Sequence, residues 1–232
     1  QPSPSFDQAA AERLITKLIA IDISPVATFL TRLRLALALQ SAGIELSASF
    51  PQPQFVTGNA LAGPEMIPAL QRPIGVVLGN PPFSYLSQNE LPWIQSLIRG
   101  NKDHAGYFEI DGESLGEKKT WLHDDYVKFL RLAQWCIEKN GCGVVSLVTN
   151  HGWLDNATFR IARQQLLRTF SQIDVVELHG NAKRHESSPT QERDENVFGI
   201  AQGIALVTMT KSPGETASHL LRGDLWGSRA TK

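Results

Sequence analysis

The stretch Asn80-Pro81-Pro82-Phe83 combines residue types that could hold a planar amine. The two prolines fix their φ angles and stiffen the turn. The Asn80 side chain supplies an amide oxygen beside a main-chain carbonyl, and the Phe83 ring supplies a flat surface for stacking. Two oxygens that accept both hydrogens of an exocyclic NH2 group, with an aromatic ring over the face, suit a nucleobase such as adenine.

A buried strand must position this turn, because the turn directly follows the apolar run 74–78. Apolar β-branched runs alternate with helical patterns along the chain, which predicts an α/β fold with a mainly parallel sheet and helices on both faces. Strands are expected at 18–22, 54–57, 75–78, 144–148, 173–178 and, last, 204–209, and helices at 6–17, 25–42, 123–139 and 157–170.

Residues 84–121 interrupt this alternation. They are rich in Gly, Ser, Asn and charge, which predicts a functional loop or a small insertion. After them, Asp124 and Asp125 are expected to cap the helix that follows.

The bulk composition narrows the class of protein. The 232 residues suffice for one α/β domain or at most two small ones, and the net charge of -1 excludes a polycationic nucleic-acid binder. Cys136 and Cys142 fit no zinc or thioredoxin motif, which favours reduced thiols and a cytoplasmic location. We expect no metal site, and no apolar run reaches the roughly 18 residues that a membrane span needs.

The order of these features resembles the amino-group DNA methyltransferases that use S-adenosylmethionine, in the order of their gamma class. A strand ends at Asp22, another ends before Asn59, and the Asn80 turn and helix–strand units follow. Several later segments resemble the methyltransferase module of single-polypeptide Type I (Type ISP) restriction–modification enzymes. These segments are 121–129, 149–156, 178–181, 194–198 and 225–229.

The resemblance implies one Rossmann-like methyltransferase domain over residues 1–232, of the mostly parallel, seven-stranded type. It further implies methyl transfer from S-adenosylmethionine to N6 of an adenine that is flipped out of double-stranded DNA. The Asn80 side chain and the Pro81 carbonyl would accept the two N6 hydrogens, Pro82 would stiffen the turn, and Phe83 would stack on the base. Positioning carries such a reaction, and no covalent intermediate is required.

The resemblance also implies a cofactor site beyond the carboxyl ends of the first strands. Asp22 would accept hydrogen bonds from the ribose hydroxyls, and Ile23 would pack on the cofactor's adenine ring. Asn59 stands where the family usually has Asp, and its oxygen would meet the adenine amino group. Ala60 and Leu61 would line the same pocket.

One family motif does not occur in the sequence. The Gly-rich turn that cradles the methionine part of the cofactor is missing, since no glycine precedes Asp22. We therefore expect the chain to be a fragment without the first strand, and the strand and its Gly-rich motif to lie upstream of Gln1. Target-recognition and nuclease or helicase domains are expected on the same full-length polypeptide.

Two other functions fit the same residues. One is a methyltransferase acting on another planar amine, such as a protein glutamine or a guanine in RNA. The other is a non-catalytic DNA-binding module of the same fold, which the missing Gly-rich turn would favour. The basic residues Lys183, Arg184 and His185 could contact DNA phosphates or form a solvated loop.

Some side chains have no assigned chemistry or only an ambiguous one. Four aromatic residues could line a base pocket or simply pack a loop: Tyr85, Trp93, Tyr107 and Trp121. Four histidines have no recognisable partner in the sequence and receive no role: His104, His123, His151 and His219.

Overall fold

A computed structural model describes residues 7–83, 87, 89–114, 120–182, 188–189 and 194–232. Contacts group the chain into two compact units, residues 1–72 and residues 73–232, and each is described by itself. The expectation of one domain over residues 1–232 stays a prediction.

The first unit combines helices with a two-stranded parallel sheet. Its main elements are α1 (Gln8–Ile15), β1 (Ile19–Asp22), α2 (Pro25–Ser41) and β2 (Gln54–Thr57). Ser24 caps α2 by accepting a hydrogen bond from the Ala27 amide, and Pro25 occupies the first turn, where the sequence predicts a helix to begin. Asp22 lies opposite Thr57 in the parallel register, so both strands end at the same edge.

Apolar side chains of the first unit are divided between a small core and one exposed stripe. The core consists of Ala11, Ile15, Leu39, Ile44 and Phe50. The stripe on α2 consists of Val26, Phe29, Leu30, Leu33 and Leu37, all of them exposed. Their spacing of three or four residues puts them on one side of the helix.

The second unit contains a five-stranded mixed sheet. Its elements are β3 (Val76–Gly79), α3 (Pro92–Arg99), β4 (Glu109–Ile110), β5 (Glu113–Ser114), α4 (Asp125–Asn140), β6 (Gly143–Asn150), α5 (Gly152–Asp155), α6 (Arg160–Thr169), β7 (Gln172–His179), β8 (Ile204–Lys211) and β9 (His219–Asp224). The strand order is β3-β6-β8-β7-β9, and β4 pairs with β5 in a separate hairpin.

Only one strand of the five-stranded sheet runs against the others. β3 pairs with β6 and β7 pairs with β9 in parallel, whereas β8 is antiparallel to both β6 and β7. The carboxyl ends of β3, β6 and β7 therefore share one edge of the sheet. The expected single seven-stranded sheet is not confirmed, because the described strands fall into separate sheets of two, five and two strands.

The core of the second unit lies between this sheet and α4. Val145 and Leu147 of β6 face Met209 and Val207 of β8 in the register, and all four side chains are buried. Most of α4 is buried as well, and Gly141 ends the helix in a left-handed conformation (φ 85°), which a glycine adopts without steric cost.

The structure also contains elements that the sequence analysis did not predict. Within residues 84–121 it has the helix α3, which buries Ile94, Leu97 and Ile98. After the strand expected to be last it has β9, which pairs with β7. The helix expected at 6–17 begins at Gln8, with Asp7 as its cap, and Phe6 lies outside the described residues.

Candidate functional site

The Asn80 turn begins where β3 ends, as the sequence predicts. Gly79, the last residue of β3, lies opposite Leu147 of β6 in the parallel register. Asn80 is exposed, Pro81 is buried and Pro82 is exposed. An exposed amide at the carboxyl edge of a parallel pair lies where α/β folds generally bind their ligands.

The aromatic residue of the turn contacts the helix α4. Phe83 is half-buried and meets Tyr126 edge-on, with ring centroids 6.4 Å apart and the planes at 70°. Tyr126 lies in the first turn of α4 and is buried. Burial, reinforced by the negative charge of Asp124, raises the pKa of Tyr126, so its hydroxyl stays neutral at physiological pH.

A cavity of ≈ 220 Å³ in the second unit is lined by the same Tyr126 ring. Trp121 and Phe159 add two more aromatic walls. This volume is below the roughly 300–1,000 Å³ of pockets for drug-sized ligands, so the cavity suits a small flat group. Its aromatic walls favour a ligand that can stack.

Amide side chains complete the polar part of the cavity. Asn150 is the last residue of β6, and Asn181 follows the end of β7 by two residues. Because β3, β6 and β7 end at one edge, their topology brings Asn80, Asn150 and Asn181 to the same side of the sheet. Asn156 and Gln202 also line the cavity, which adds further donors and acceptors.

The cavity wall after β6 is fixed by local hydrogen bonds. Asn150 Oδ1 accepts from the Gly152 amide at 2.7 Å. Arg163 Nη1 donates to the carbonyl oxygens of Trp153 at 2.7 Å and Asn156 at 2.9 Å. One guanidinium on α6 thus holds both ends of α5 in place.

His151 is a buried part of the cavity wall that the sequence analysis left without a role. Its Nδ1 lies 2.7 Å from Glu177 Oε1, and its Nε2 lies 3.0 Å from the Asn181 amide nitrogen. A Cβ at Gly203 would lie 2.4 Å from the His151 ring, so only glycine fits behind it. The one sequence signal was its position, directly after a strand that ends in asparagine.

Glu177 is the carboxylate that orients His151. Burial raises its pKa, but hydrogen bonds from His151 and Arg222 together with the positive charges nearby outweigh burial and lower the pKa to about 2. Glu177 is therefore ionised at neutral pH, and it holds the imidazole in one orientation.

The segment that follows Phe83 is attached to the start of α4. Asp125 accepts hydrogen bonds from Ser87 and from Asn89 Nδ2 at 2.9 Å, and Lys128 Nζ donates to the Asn89 carbonyl at 2.7 Å. Asp124 is the N-cap residue of α4, as expected, although its side chain makes no capping hydrogen bond, and Asp125 is the first residue of the helix. The Asp125 carboxylate contacts Ser87 and Asn89.

The residues expected to bind the cofactor lie in the first unit. Asp22 and the Asn59 segment follow neighbouring parallel strands, and the Gly58 amide donates to the Asp22 carbonyl at 2.9 Å. Ile23 is 71% exposed, as a side chain that packs on a ligand ring could be, whereas Leu61 is fully buried. Asn59 Oδ1 accepts from the Leu61 amide at 3.0 Å, and Ala60 begins the short 3-10 helix that Asn59 caps.

Of the three described aromatic residues whose role was ambiguous, one lines the cavity and two do not. Trp121 lines it and is 46% exposed. Trp93 packs edge-on against Trp135, and the buried Tyr107 hydroxyl donates to Gln134 Oε1 at 2.7 Å, so both pack against α4. Tyr85 and the basic residues Lys183, Arg184 and His185 lie outside the described residues.

No protein-family model matches the chain, and no curated protein sequence matches it. Solved structures do match. One is DrdV in a complex with DNA, with a TM-score of 0.72 and 21% identity, covering 95% of this chain and 22% of DrdV. Another is the nuclease-deletion mutant of the Type ISP restriction–modification enzyme LlaGI with a DNA substrate mimic, with a TM-score of 0.73 and 18% identity, covering 96% of this chain and 22% of LlaGI.

A third match is the ATP-dependent Type ISP restriction–modification enzyme LlaBIII bound to DNA. Its TM-score is 0.74 at 18% identity, and the match covers 96% of this chain and 16% of LlaBIII. At these identities the three likenesses show a shared fold. The chain spans about a fifth of the length of each of these proteins.

Across the part of the chain that the structure describes, no helix is both long and apolar enough to cross a bilayer.

Proposed function

We propose that this chain is the S-adenosylmethionine-dependent methyltransferase domain of a restriction–modification enzyme and that it methylates N6 of adenine in DNA. The observation that carries the proposal is the contact of Phe83, in the Asn80 turn, with Tyr126, which also lines the cavity. Tyr126 thereby links the turn to an aromatic, amide-lined cavity. The shared fold with Type ISP enzymes that were solved with DNA supports DNA as the substrate.

The chain's own residues would position the base. An adenine flipped out of the duplex loses a few kcal/mol of stacking and pairing, and stacking on Phe83 would return about 1–3 kcal/mol. The Asn80 amide oxygen and the Pro81 carbonyl would accept the two N6 hydrogens. These hydrogen bonds draw the nitrogen lone pair out of conjugation with the ring, so that it can act as a nucleophile.

The first unit fits the cofactor in part. The exposed Asp22 carboxylate at a strand end suits the two hydroxyls of a ribose, and the exposed Ile23 suits the face of an adenine. The Leu61 side chain is fully buried and so would not line the cofactor pocket; only the Leu61 backbone could contact the cofactor. When bound, S-adenosylmethionine supplies an electrophilic methyl group on a sulfonium.

The reaction is a direct displacement. The Asn80 and Pro81 oxygens would hold the N6 lone pair toward the methyl group that bound S-adenosylmethionine would supply. The N–C bond would form as the S–C bond breaks, and the electron pair of the S–C bond would stay on sulfur. The nitrogen then loses one proton, whose departure the Asn80 and Pro81 oxygens favour because they already accept the N6 hydrogens. The side chains contribute position and local electrostatics.

We also propose that the chain acts within a longer polypeptide that carries target-recognition and nuclease or helicase parts. The support is that the match covers only 22%, 22% and 16% of the three matched proteins, which are therefore several times as long as this chain. The domain that reads the DNA sequence would then be separate from the residues described above.

The substitution Asn80→Ala tests the proposal in the full-length enzyme. We expect methyl transfer from radiolabelled S-adenosylmethionine to DNA to fall at least about 100-fold, because one of two acceptors for the N6 hydrogens is lost. Asn101→Ala, which changes an exposed asparagine on another loop, should leave the rate unchanged. Near-normal methylation by Asn80→Ala would refute the role of the turn.

The identity of the labelled product separates the remaining functions. Mass spectrometry of digested DNA should find N6-methyladenine. Label on protein or RNA but not on DNA would instead indicate a methyltransferase for another planar amine. Absence of label on any of the three, with DNA binding retained, would indicate a non-catalytic module.

A further inference from the structure

Three buried side chains at the end of the β7 strand converge on one point. Glu177 and His179 are two residues apart on β7, and His151 follows β6. His151 Nδ1 lies 2.7 Å and His179 Nδ1 lies 3.6 Å from the same oxygen, Glu177 Oε1. One ligand atom from each of the three lies within 4.8 Å of the others, and all three residues are less than a tenth exposed.

The backbone brings these groups together by a local irregularity. The register between β7 and β8 shifts between Glu177 and His179, and His179 has a φ of 51°. A left-handed conformation is uncommon for a residue other than glycine. It turns the His179 ring toward Glu177, where the ring stacks on Trp226 with centroids 3.4 Å apart and planes at 13°.

The outward-facing nitrogen of each imidazole has a partner of its own. His179 Nε2 lies 2.9 Å from Asp224 Oδ1, and His151 Nε2 lies 3.0 Å from the Asn181 amide nitrogen. Histidines that bind metal ions commonly donate their second ring N–H to a carboxylate or another oxygen, which fixes the ring orientation. The Asp224 carboxylate already lies where it can accept from His179 Nε2. The Asn181 side chain could accept from His151 Nε2 if it turned its amide oxygen toward that ring.

Charge in this cluster also favours a cation. Glu177, Asp155 and Asp224 contribute three carboxylates, and Arg222 contributes the one guanidinium that pairs with two of them. By formal charge these carboxylates outnumber the guanidinium.

We propose that His151, Glu177 and His179 form a binding site for Zn²⁺. Two imidazoles and one carboxylate are a ligand set that zinc accepts, with bonds of about 2.0–2.2 Å. Such bonds place ligand atoms about 3.4 Å apart in a tetrahedral site. The Nδ1 atoms of His151 and His179 now lie 2.7 Å and 3.6 Å from Glu177 Oε1, so binding would widen the shorter separation. Arg222 donates a hydrogen bond to Glu177 Oε2, so the carboxylate would bind the ion through Oε1 alone.

Metal binding fixes the position of the ring hydrogen of His151. Its Nδ1 would bind the ion, so the hydrogen would lie on Nε2, toward Asn181. No oxidation or reduction is involved. The ion would join the end of β6, the end of β7 and, through Asp224, the strand β9, and it would fix His151 in the cavity wall.

The probe for this site is Co²⁺ added to the 232-residue chain after chelation of any metal. Co²⁺ takes the same ligands as Zn²⁺ and reports its coordination by visible absorption. We expect one equivalent to produce an intense visible band that Zn²⁺ abolishes by displacement. Absence of this band in the wild-type chain would overturn the proposal without any substitution.

Variants locate the site. Asp224→Asn changes a partly exposed side chain and leaves all three ligands in place, and it should lower Co²⁺ affinity about 10–100-fold. His179→Gln removes a ligand and should lower the affinity further. His219→Gln, at an exposed histidine on β9, is the matched control and should bind as the wild type does. If Asp224→Asn and His179→Gln keep wild-type affinity, or if His219→Gln loses it, the proposed site is wrong.

Discussion

At the scale of single residues, Tyr126 connects two features that are separate in the sequence. Its ring meets Phe83 of the Asn80 turn and also forms a wall of the cavity. Because its hydroxyl stays neutral, Tyr126 offers an uncharged aromatic face beside the amides of Asn150 and Asn181. A base held by the turn would therefore meet stacking surfaces and hydrogen-bonding groups together.

The two cysteines should differ in reactivity, because only one of them is deeply buried. Burial raises the pKa of the Cys136 thiol to about 12, so at pH 8 only about one in ten thousand of these thiols is ionised. Cys142 is half-buried. A chromogenic disulfide reagent should therefore titrate one thiol rapidly in the native chain and the second only on unfolding.

The variant Cys142→Ser assigns the thiols. It should remove the rapid reaction, whereas Cys136→Ser should retain it. A rapid reaction that survives Cys142→Ser would show that Cys136 is accessible, contrary to its burial.

Residue-scale prediction from sequence succeeded where the relevant contacts are local. The Asn80 turn could be located because an apolar run directly precedes it and two prolines stiffen it. His151 could not be recognised, because its partner Glu177 lies 26 positions away on another strand. A pairing of this kind depends on strand order, which the sequence does not specify locally.

At the scale of elements, helix α2 is unusual because most of its large apolar side chains are exposed. It contributes Leu39 to the core, yet Phe29 and Leu33 on its stripe are 65% and 47% exposed. An exposed apolar stripe promotes self-association.

Substitution on the stripe should improve solution behaviour without loss of stability. Phe29→Lys with Leu33→Lys should change the free energy of unfolding by no more than about 0.5 kcal/mol, while light scattering at high concentration decreases. Leu39→Lys, the same change at a position that is 8% exposed, should unfold the first unit. A loss of several kcal/mol on the stripe would mean that these side chains are packed.

Element prediction was accurate for long patterns and poor for short or exposed ones. Helix α2 could be placed from Ser24 and Pro25 at its start. Helix α3 was missed within the polar stretch 84–121, although Ile94, Leu97 and Ile98 have helical spacing. Strand β9 was missed because every one of its side chains is exposed, so burial does not impose the alternation that identifies a strand.

At the scale of the whole molecule, the carboxyl-terminal segment is joined to the second unit by a buried ion pair. Lys232 Nζ lies 2.6 Å from Asp194 Oδ1, and neither side chain has any exposed surface. Lys232 also donates to the Leu178 carbonyl at 2.5 Å, at the end of β7. The order of strands, with β8 inserted between β6 and β7, could not be read from the sequence, since it rests on pairings between distant segments.

Breaking this ion pair should destabilise the protein strongly. Lys232→Met leaves the Asp194 charge buried without compensation and should cost about 3–5 kcal/mol in urea unfolding. Adding Asp194→Asn removes the charge while keeping a hydrogen-bond acceptor for the Gly227 amide, and it should restore more than half of the loss. A single-variant loss below about 1 kcal/mol would contradict the burial of the pair.

The contact of Gly203 with the His151 ring has a consequence for the sequences that this fold permits. Any side chain at position 203 would displace the ring from the cavity wall, so we expect descent from a common ancestor to leave this glycine unchanged. Gly223, on β9, has open space around its Cα and would vary freely. We therefore expect relatives of this chain to keep glycine at position 203 and to differ at position 223.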